Sequence, residues 1–180
     1  PAEYNFNILK ASLQQVDEHT IEGYIVQQSK NVWSKDAGQD YTIYFRIEFD
    51  RPVKNFGTWK NDTVMNTKHL ESITPSSMGC FAEFDTRENN IVQVRTGISY
   101  VDMEGARHNL QEEIKDRFGW SFEAVEKYNK DTWNDLLNRV RITSNDQKEK
   151  MRFYTNLYRS FCRNTFSDID GRWVDATEKI

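Results

Sequence analysis

Apolar residues recur with period two through the first hundred positions and then with period near four, which predicts an α+β chain. The expected architecture is an antiparallel β-sandwich portion followed by helices. The strongest strand signal is Tyr41-Thr42-Ile43-Tyr44-Phe45-Arg46-Ile47-Glu48-Phe49. Tyr41, Ile43, Phe45, Ile47 and Phe49 share one face there; Thr42, Arg46 and Glu48 take the other, with Tyr44 amphipathic. Similar short runs occupy residues 21–28, 54–59, 79–85 and 91–101. Turn signals separate them, among them Asp36-Ala37-Gly38, Asp50-Arg51-Pro52 and Glu88-Asn89-Asn90. Short strands at regular spacing, with no helical pattern between them, indicate antiparallel sheets packed face to face.

The period changes near Asp102, the best internal boundary. Ala106, Leu110 and Ile114 then form a helical stripe. A second helix is expected from Ser121, a good N-cap, with Trp120 before it and Val125 at the staple position. Its apolar face reads Phe122, Val125, Trp133, Leu136, Leu137 and Val140. A third is expected from the capping box Ser144-Asn145-Asp146-Gln147, with Met151, Tyr154, Tyr158 and Phe161 as its face.

Composition narrows the function classes. The net charge of −4 comes from interspersed signs with no basic stripe, which argues against a nucleic-acid partner. No apolar run reaches the length of a membrane span. Cys80 and Cys162 have neither disulfide-framework nor metal-ligand spacing and read as ordinary buried thiols. The opening Pro1-Ala2-Glu3-Tyr4 has no initiator Met and no signal-peptide pattern. The chain is therefore expected to be an excised or processed piece of a longer protein.

The densest set of directed polar groups is the loop Asn164-Thr165-Phe166-Ser167-Asp168-Ile169-Asp170-Gly171-Arg172-Trp173. Carboxylates and a guanidinium on one tight loop suit a polyhydroxylated ligand, because sugar hydroxyls both donate and accept. The competing reading is that the aspartates only shape a turn. The spacing argues against an EF-hand calcium loop: counted from Asp168, Gly171 falls fourth rather than sixth, Arg172 would occupy the fifth position and Glu178 falls one place early. His19, His69 and His108 are scattered and read as solvated or structural. Trp33 could stack on a sugar ring, though anchoring a loop suits it better. Trp120 and Trp133 read as packing residues, and Glu112, Glu113 and Glu149 as solvated.

Several blocks together resemble glycoside hydrolase family 92, the exo-acting α-mannosidases. They are Val94-Arg95-Thr96-Gly97-Ile98-Ser99-Tyr100-Val101, Ala106-Arg107-His108-Asn109-Leu110, Trp120-Ser121-Phe122-Glu123-Ala124-Val125 and Trp133-Asn134. Phe153-Tyr154-Thr155-Asn156-Leu157-Tyr158-Arg159 and the loop from Asn164 to Arg172 complete the series in family order. Phe161-Cys162-Arg163-Asn164 departs from the pattern in lacking the proline that many members carry before the Asn-Thr pair.

The resemblance implies an N-terminal β-sandwich, linker helices and a large (α/α)6 barrel, of which this chain would hold only the first helix. The corresponding segments are 1–102, 103–143 and 144–180. It also implies calcium-dependent hydrolysis of mannose-containing glycans with inversion, most naturally of α-1,2 linkages, in a bacterial periplasmic or secreted enzyme. The general acid, general base and calcium ligands of the family come from later segments, so no catalytic or metal residue is assigned in this chain. Asp168, Asp170 and Arg172 become the expected substrate contacts. They suit positioning rather than chemistry, because two aspartates one residue apart do not easily flank a pyranose from opposite sides. The chain alone is expected to be inactive. The alternative is a non-catalytic carbohydrate-binding sandwich with a helical extension, and sequence continuing beyond Ile180 into a helical barrel would distinguish the two.

Overall fold

The computed structural model describes residues 6–29, 39–73, 77–161 and 167–174. Trp33, Cys162 and the first part of the polar loop lie outside the described residues. The strands are β1 (Phe6–Asp17), β2 (Thr20–Ser29), β3 (Gln39–Phe49), β4 (Asn55–Lys60), β5 (Thr63–Met65), β6 (His69–Ser72), β7 (Met78–Glu83) and β8 (Val94–Ser99). The helices are α1 (Met103–Leu110), α2 (Asp116–Phe118), α3 (Phe122–Leu137) and α4 (Gln147–Phe161), with a wide π-helical turn at Gln111–Lys115 between α1 and α2. Among the described residues no helix is long and apolar enough to cross a membrane.

All strand pairings are antiparallel, in a sheet ordered β6-β1-β2-β3-β8 and a smaller one ordered β5-β4-β7. Leu13, Ile21 and Phe56 form the buried centre between them. Phe45, Ile47 and Phe49 pack there from β3, and Met78, Cys80 and Ala82 from β7. The alternation of β3 thus has the predicted consequence, since its odd residues fill the space between the sheets. Burial pushes the Cys80 thiol pKa up. Strands β1, β5 and β6 were not foreseen as defined runs. β1 mixes polar residues into both faces and carries irregularities near Ile8 and Gln15, while β5 and β6 are too short to show a period.

The opposite face of the large sheet is covered by α1, and that layer is held by charge. On adjacent strands Glu22 stands opposite Arg46, and Glu48 opposite Arg95. Glu22, 1% exposed, accepts two bonds of 2.8 Å from Arg107 of α1 and one of 2.5 Å from Arg46. Glu48, 6% exposed, accepts from Arg46 at 2.8 Å, from Arg95 at 3.0 and 2.7 Å, and from Lys115 at 3.3 Å. Arg107 and Lys115 would stand about 80° apart on a regular α-helix. The wide turn absorbs one residue's rotation and lets both reach the sheet. The same turn takes Ile114 off the predicted stripe, leaving it half-buried while Ala106 and Leu110 are fully buried.

By compactness the chain divides into Pro1–Arg117 with Phe166–Ile180, and Phe118–Thr165. In the second unit Ser121 caps α3 as expected, accepting from the Ala124 N–H at 3.2 Å. The helix ends at Leu137, so Val140 falls beyond the face assigned to it. The start of α4 also differs from expectation. Asp146, not Ser144, caps it, accepting from the Lys148 and Glu149 N–H groups at 2.8 and 3.4 Å. A carboxylate at that position also meets the positive end of the helix dipole. Ser144 instead accepts from the Asp146 N–H at 3.1 Å. Trp133 packs on Tyr158 with ring centroids 4.5 Å apart. No residue of α3 or α4 is buried, and Met151 of the predicted stripe is 71% exposed.

The charged layer makes the first unit acid-sensitive. Hydrogen bonds from Arg107 outweigh burial and hold Glu22 below its usual pKa. Burial opposes ionisation of Glu48, but Arg46, Arg95 and Lys115 prevail and its pKa also falls. The stability they contribute is complete above the ordinary carboxylate range, near pH 4.3, and is lost as pH falls through the depressed folded values. Glu22→Gln should lower stability at pH 7 by about 1–3 kcal/mol, since it weakens the charge-assisted bonds from Arg107 and takes from Arg46 one of its two carboxylate partners. It should also flatten the fall in melting temperature below pH 4.5, measured by circular dichroism. A variant as acid-sensitive as the parent would show that Glu22 does not carry the effect.

Candidate functional site

The polar loop returns to the end of β8 and the start of α1. Asp102 caps α1, accepting from the Gly105 N–H at 2.5 Å through one carboxylate oxygen. Its other oxygen accepts from Arg172 Nη1 at 2.7 Å. Arg172 Nε donates to Asp170 at 2.7 Å, and the Arg172 N–H donates to the same carboxylate at 3.0 Å. One guanidinium thus bridges a helix cap and the loop tip.

Within the loop, the Asp168 N–H donates to the Arg172 carbonyl at 2.8 Å and the Gly171 N–H to the Asp168 carbonyl at 2.9 Å. Gly171 sits at φ +85°, in the left-handed region that a side chain would strain.

Asp168 is 5% exposed, and its carboxylate faces inward. One oxygen accepts from Ser99 Oγ at 2.8 Å, the other from Asn109 Nδ2 at 2.9 Å, and Arg172 Nη2 lies 3.8 Å away. Asn109 also donates to the Ile98 carbonyl at 2.8 Å and accepts from the Ile169 N–H at 2.8 Å. Ser99 Oγ accepts from the Val101 N–H at 2.9 Å. Asp168 is therefore the anchor by which the loop is tied to β8 and α1. It is not an open carboxylate, since both of its oxygens are committed to these partners.

Gly105 completes the fit, because a methyl group there would overlap the Asp168 carboxylate and the Ser99 hydroxyl.

Asp170 and Arg172 remain accessible. The Arg172 N–H and then its guanidinium hold Asp170 below the usual carboxylate range. The Arg172 guanidinium, helped by the Gly105 N–H, does the same for Asp102. Both partners raise the pKa of Arg172. The tip thus offers paired charges at neutral pH, able to accept from and donate to hydroxyl groups.

It does not suit calcium. Arg172 occupies the position between carboxylates that a cation would need, and among the described residues no three His, Cys, Asp or Glu side chains converge as a metal site. His19 lies 3.1 Å from the Phe49 carbonyl and His69 3.4 Å from Ser12 Oγ, both away from the loop.

Sequence reasoning placed Asp168, Asp170 and Arg172 together but missed Asp102, Ser99, Asn109 and Gly105 as their support. One signal was present. Asn109 shares a helix face with Ala106 and Leu110, where an amide calls for buried partners.

A sandwich whose last strand leads into a helix, with a later loop docked on that junction, defines a β domain joined to the start of a helical one. Residues 2–99 match the Glycosyl hydrolase family 92 N-terminal domain, and residues 105–180 match the Glycosyl hydrolase family 92 catalytic domain. The chain belongs to glycosyl hydrolase family 92.

It is similar in fold to the family GH92 alpha-mannosidase from Bacteroides thetaiotaomicron, with a TM-score of 0.78 and 24% identity over 96% of this chain and 22% of that one. The complex of that enzyme with mannoimidazole gives a TM-score of 0.77 and 22% identity over the same shares. A family GH92 inverting mannosidase from Bacteroides thetaiotaomicron VPI-5482 gives 0.73 and 21% identity over 91% of this chain and 21% of that one. The chain thus spans about a fifth of the length of these solved structures. No curated protein matches it.

The anchor can be tested without substrate. Asp168→Ala takes the acceptor from the Ser99 hydroxyl and one of the two acceptors from the Asn109 amide, and should cost about 1–3 kcal/mol in chemical denaturation of this chain. Gly105→Ala should destabilise too, although alanine favours a helix by about 1 kcal/mol over glycine. A stabilised Gly105→Ala protein would mean that the loop does not dock as described.

Proposed function

We propose that this chain is the sandwich and the first part of the catalytic domain of an exo-acting, inverting α-mannosidase, and that Asp170 and Arg172 hold hydroxyl groups of the reacting mannose. The observation that carries this reading is the buried Asp168 anchor, which presents an ion-paired loop tip at the junction of the two family-92 regions. The match of residues 105–180 to a catalytic domain favours the enzyme over a carbohydrate-binding module. The solved neighbours described as an alpha-mannosidase and an inverting mannosidase support the substrate class and the stereochemistry.

In this reading Asp168, first expected to meet the sugar itself, positions the loop. Asp170 accepts from hydroxyl groups, and Arg172 donates to one while Asp102 steadies its guanidinium. The contacts orient the sugar, which raises rate as well as affinity. The acid and base of an inverting glycosidase stand about 6.5–9.5 Å apart to admit water. Those groups and the calcium ligands would come from segments outside this chain. An α-1,2 linkage preference, N-glycan substrates and a periplasmic or secreted location belong to the same proposal.

In the full-length protein, Asp170→Ala should lower kcat/KM on an aryl α-mannoside about ten- to a hundredfold, as for loss of a charge-assisted hydrogen bond. Arg172→Lys should be similarly damaging, because lysine lacks the planar fork. The first product seen by proton NMR should be β-mannose. Near-normal kinetics in both variants would reduce the loop to a turn, and α-mannose as the first product would remove inversion.

A further inference from the structure

A second surface lies on the far side of the sandwich from α1 and the polar loop. Helix α1 covers one face of the large sheet, and the small sheet packs on the other through Phe56, Cys80 and Ala82. The remaining face of the small sheet opens to solvent, where Val64, Phe81, Asn55 and Glu83 are all exposed. On this face Trp59 stands opposite Gly79 and Phe81 opposite Gly57, with Val64 of β5 beside Trp59. A Cβ at Gly79 would lie within 2.9 Å of the Trp59 indole, and one at Gly57 would overlap the Phe81 ring. Each ring therefore lies across the glycine of the partner strand instead of standing off the sheet. We propose that this outward face is a platform for a neutral glycan chain, a site separate from the loop tip; that the glycan is an α-mannan rests on the function proposed above.

The groups on the face select that ligand. The two glycines turn ring faces, not ring edges, toward solvent, and the C–H surface of a pyranose packs on an aromatic face. One row further along the strands, Asn55 Nδ2 donates to Glu83 Oε2 at 2.7 Å. A carboxylate can accept several bonds, so this pair serves sugar hydroxyls beside the Phe81 ring. Successive rows on one face are two residues apart, about 7 Å along the strand. Indole, phenyl ring and polar pair thus follow one another along a track longer than a single sugar ring.

Other occupants fit the face less well. Packed sheets interdigitate their side chains, and rings laid over glycines give a second copy of this sheet little to interlock with. A membrane-surface site combines projecting apolar side chains with Lys or Arg, whereas the charged group in these three rows is the Glu83 carboxylate. The same carboxylate would repel an anionic polymer. The charge of the face therefore favours an uncharged, hydroxyl-rich chain.

The test uses the full-length protein and a soluble α-mannan, by affinity electrophoresis in gels that contain the polymer. Trp59→Ala and the exposed Glu83→Ala should each weaken retention about tenfold. Trp59→Phe, which keeps an aromatic face, should restore most of it. Thermal melting followed by circular dichroism identifies the folded variants, and in them kcat/KM on the mannan relative to an aryl α-mannoside should fall by a similar factor. Unchanged retention in folded Trp59→Ala or Glu83→Ala protein overturns the platform and leaves the rings as covers for glycine backbone, while hydrolysis of the aryl α-mannoside keeps the enzymatic reading. Retention that depends on Trp59 in a protein that hydrolyses no mannoside keeps the platform and overturns the enzymatic reading. Dimers that dissociate on Trp59→Ala, seen by analytical ultracentrifugation in a protein the mannan does not retain, assign the face to a second copy and overturn the platform.

Discussion

Glu22 and Glu48 lose nearly all contact with water between the large sheet and α1, and guanidinium and ammonium groups replace it. Transferring a carboxylate out of water is unfavourable by several kcal/mol unless charge and hydrogen bonds are restored. Here each glutamate receives cations from its own sheet and from the helical segment. Arg46 bridges the two carboxylates within the sheet, Arg107 reaches down from α1, and Lys115 from the wide turn. Such directional contacts pin the helix in rotation and translation, which apolar packing of Ala106 and Leu110 alone would do less sharply.

The candidate site inherits that geometry. Asp102 and Asn109 lie on the same helix, one at its cap and one facing the sheet, and the loop binds both. Ser99 adds the strand end. A carboxylate buried among these three elements holds a tip whose own contacts are short-range and exposed. Rigidity thus sits below the surface and polarity at it, the arrangement that lets a loop position a ligand.

Much of the fold was legible because one physical quantity, the spacing of apolar residues, reports which face of an element is covered. Phe45, Ile47 and Phe49 could be assigned to a core before any partner was known. Ser121 was readable as a cap because capping is a local hydrogen bond. Legibility failed where local signals competed: Ser144 and Asp146 both qualify as caps, and the carboxylate wins on charge. It failed again for β5 and β6, where three or four residues leave no period to read.

By itself the sequence determined the change from strands to helices near Asp102, the inward face of β3, and the presence of two aspartates, a glycine and an arginine on one tight loop. These depend on residues close together in the chain. The tertiary structure decided which aspartate is buried and which is accessible, because that depends on Ser99 and Asn109, 69 and 59 residues away. It likewise decided that Glu22 and Glu48 meet Arg107 and Lys115 rather than water. The same side chains, met only in sequence, read equally well as a solvated face. Electrostatic partnership across 85 and 67 residues leaves no periodic trace in the chain.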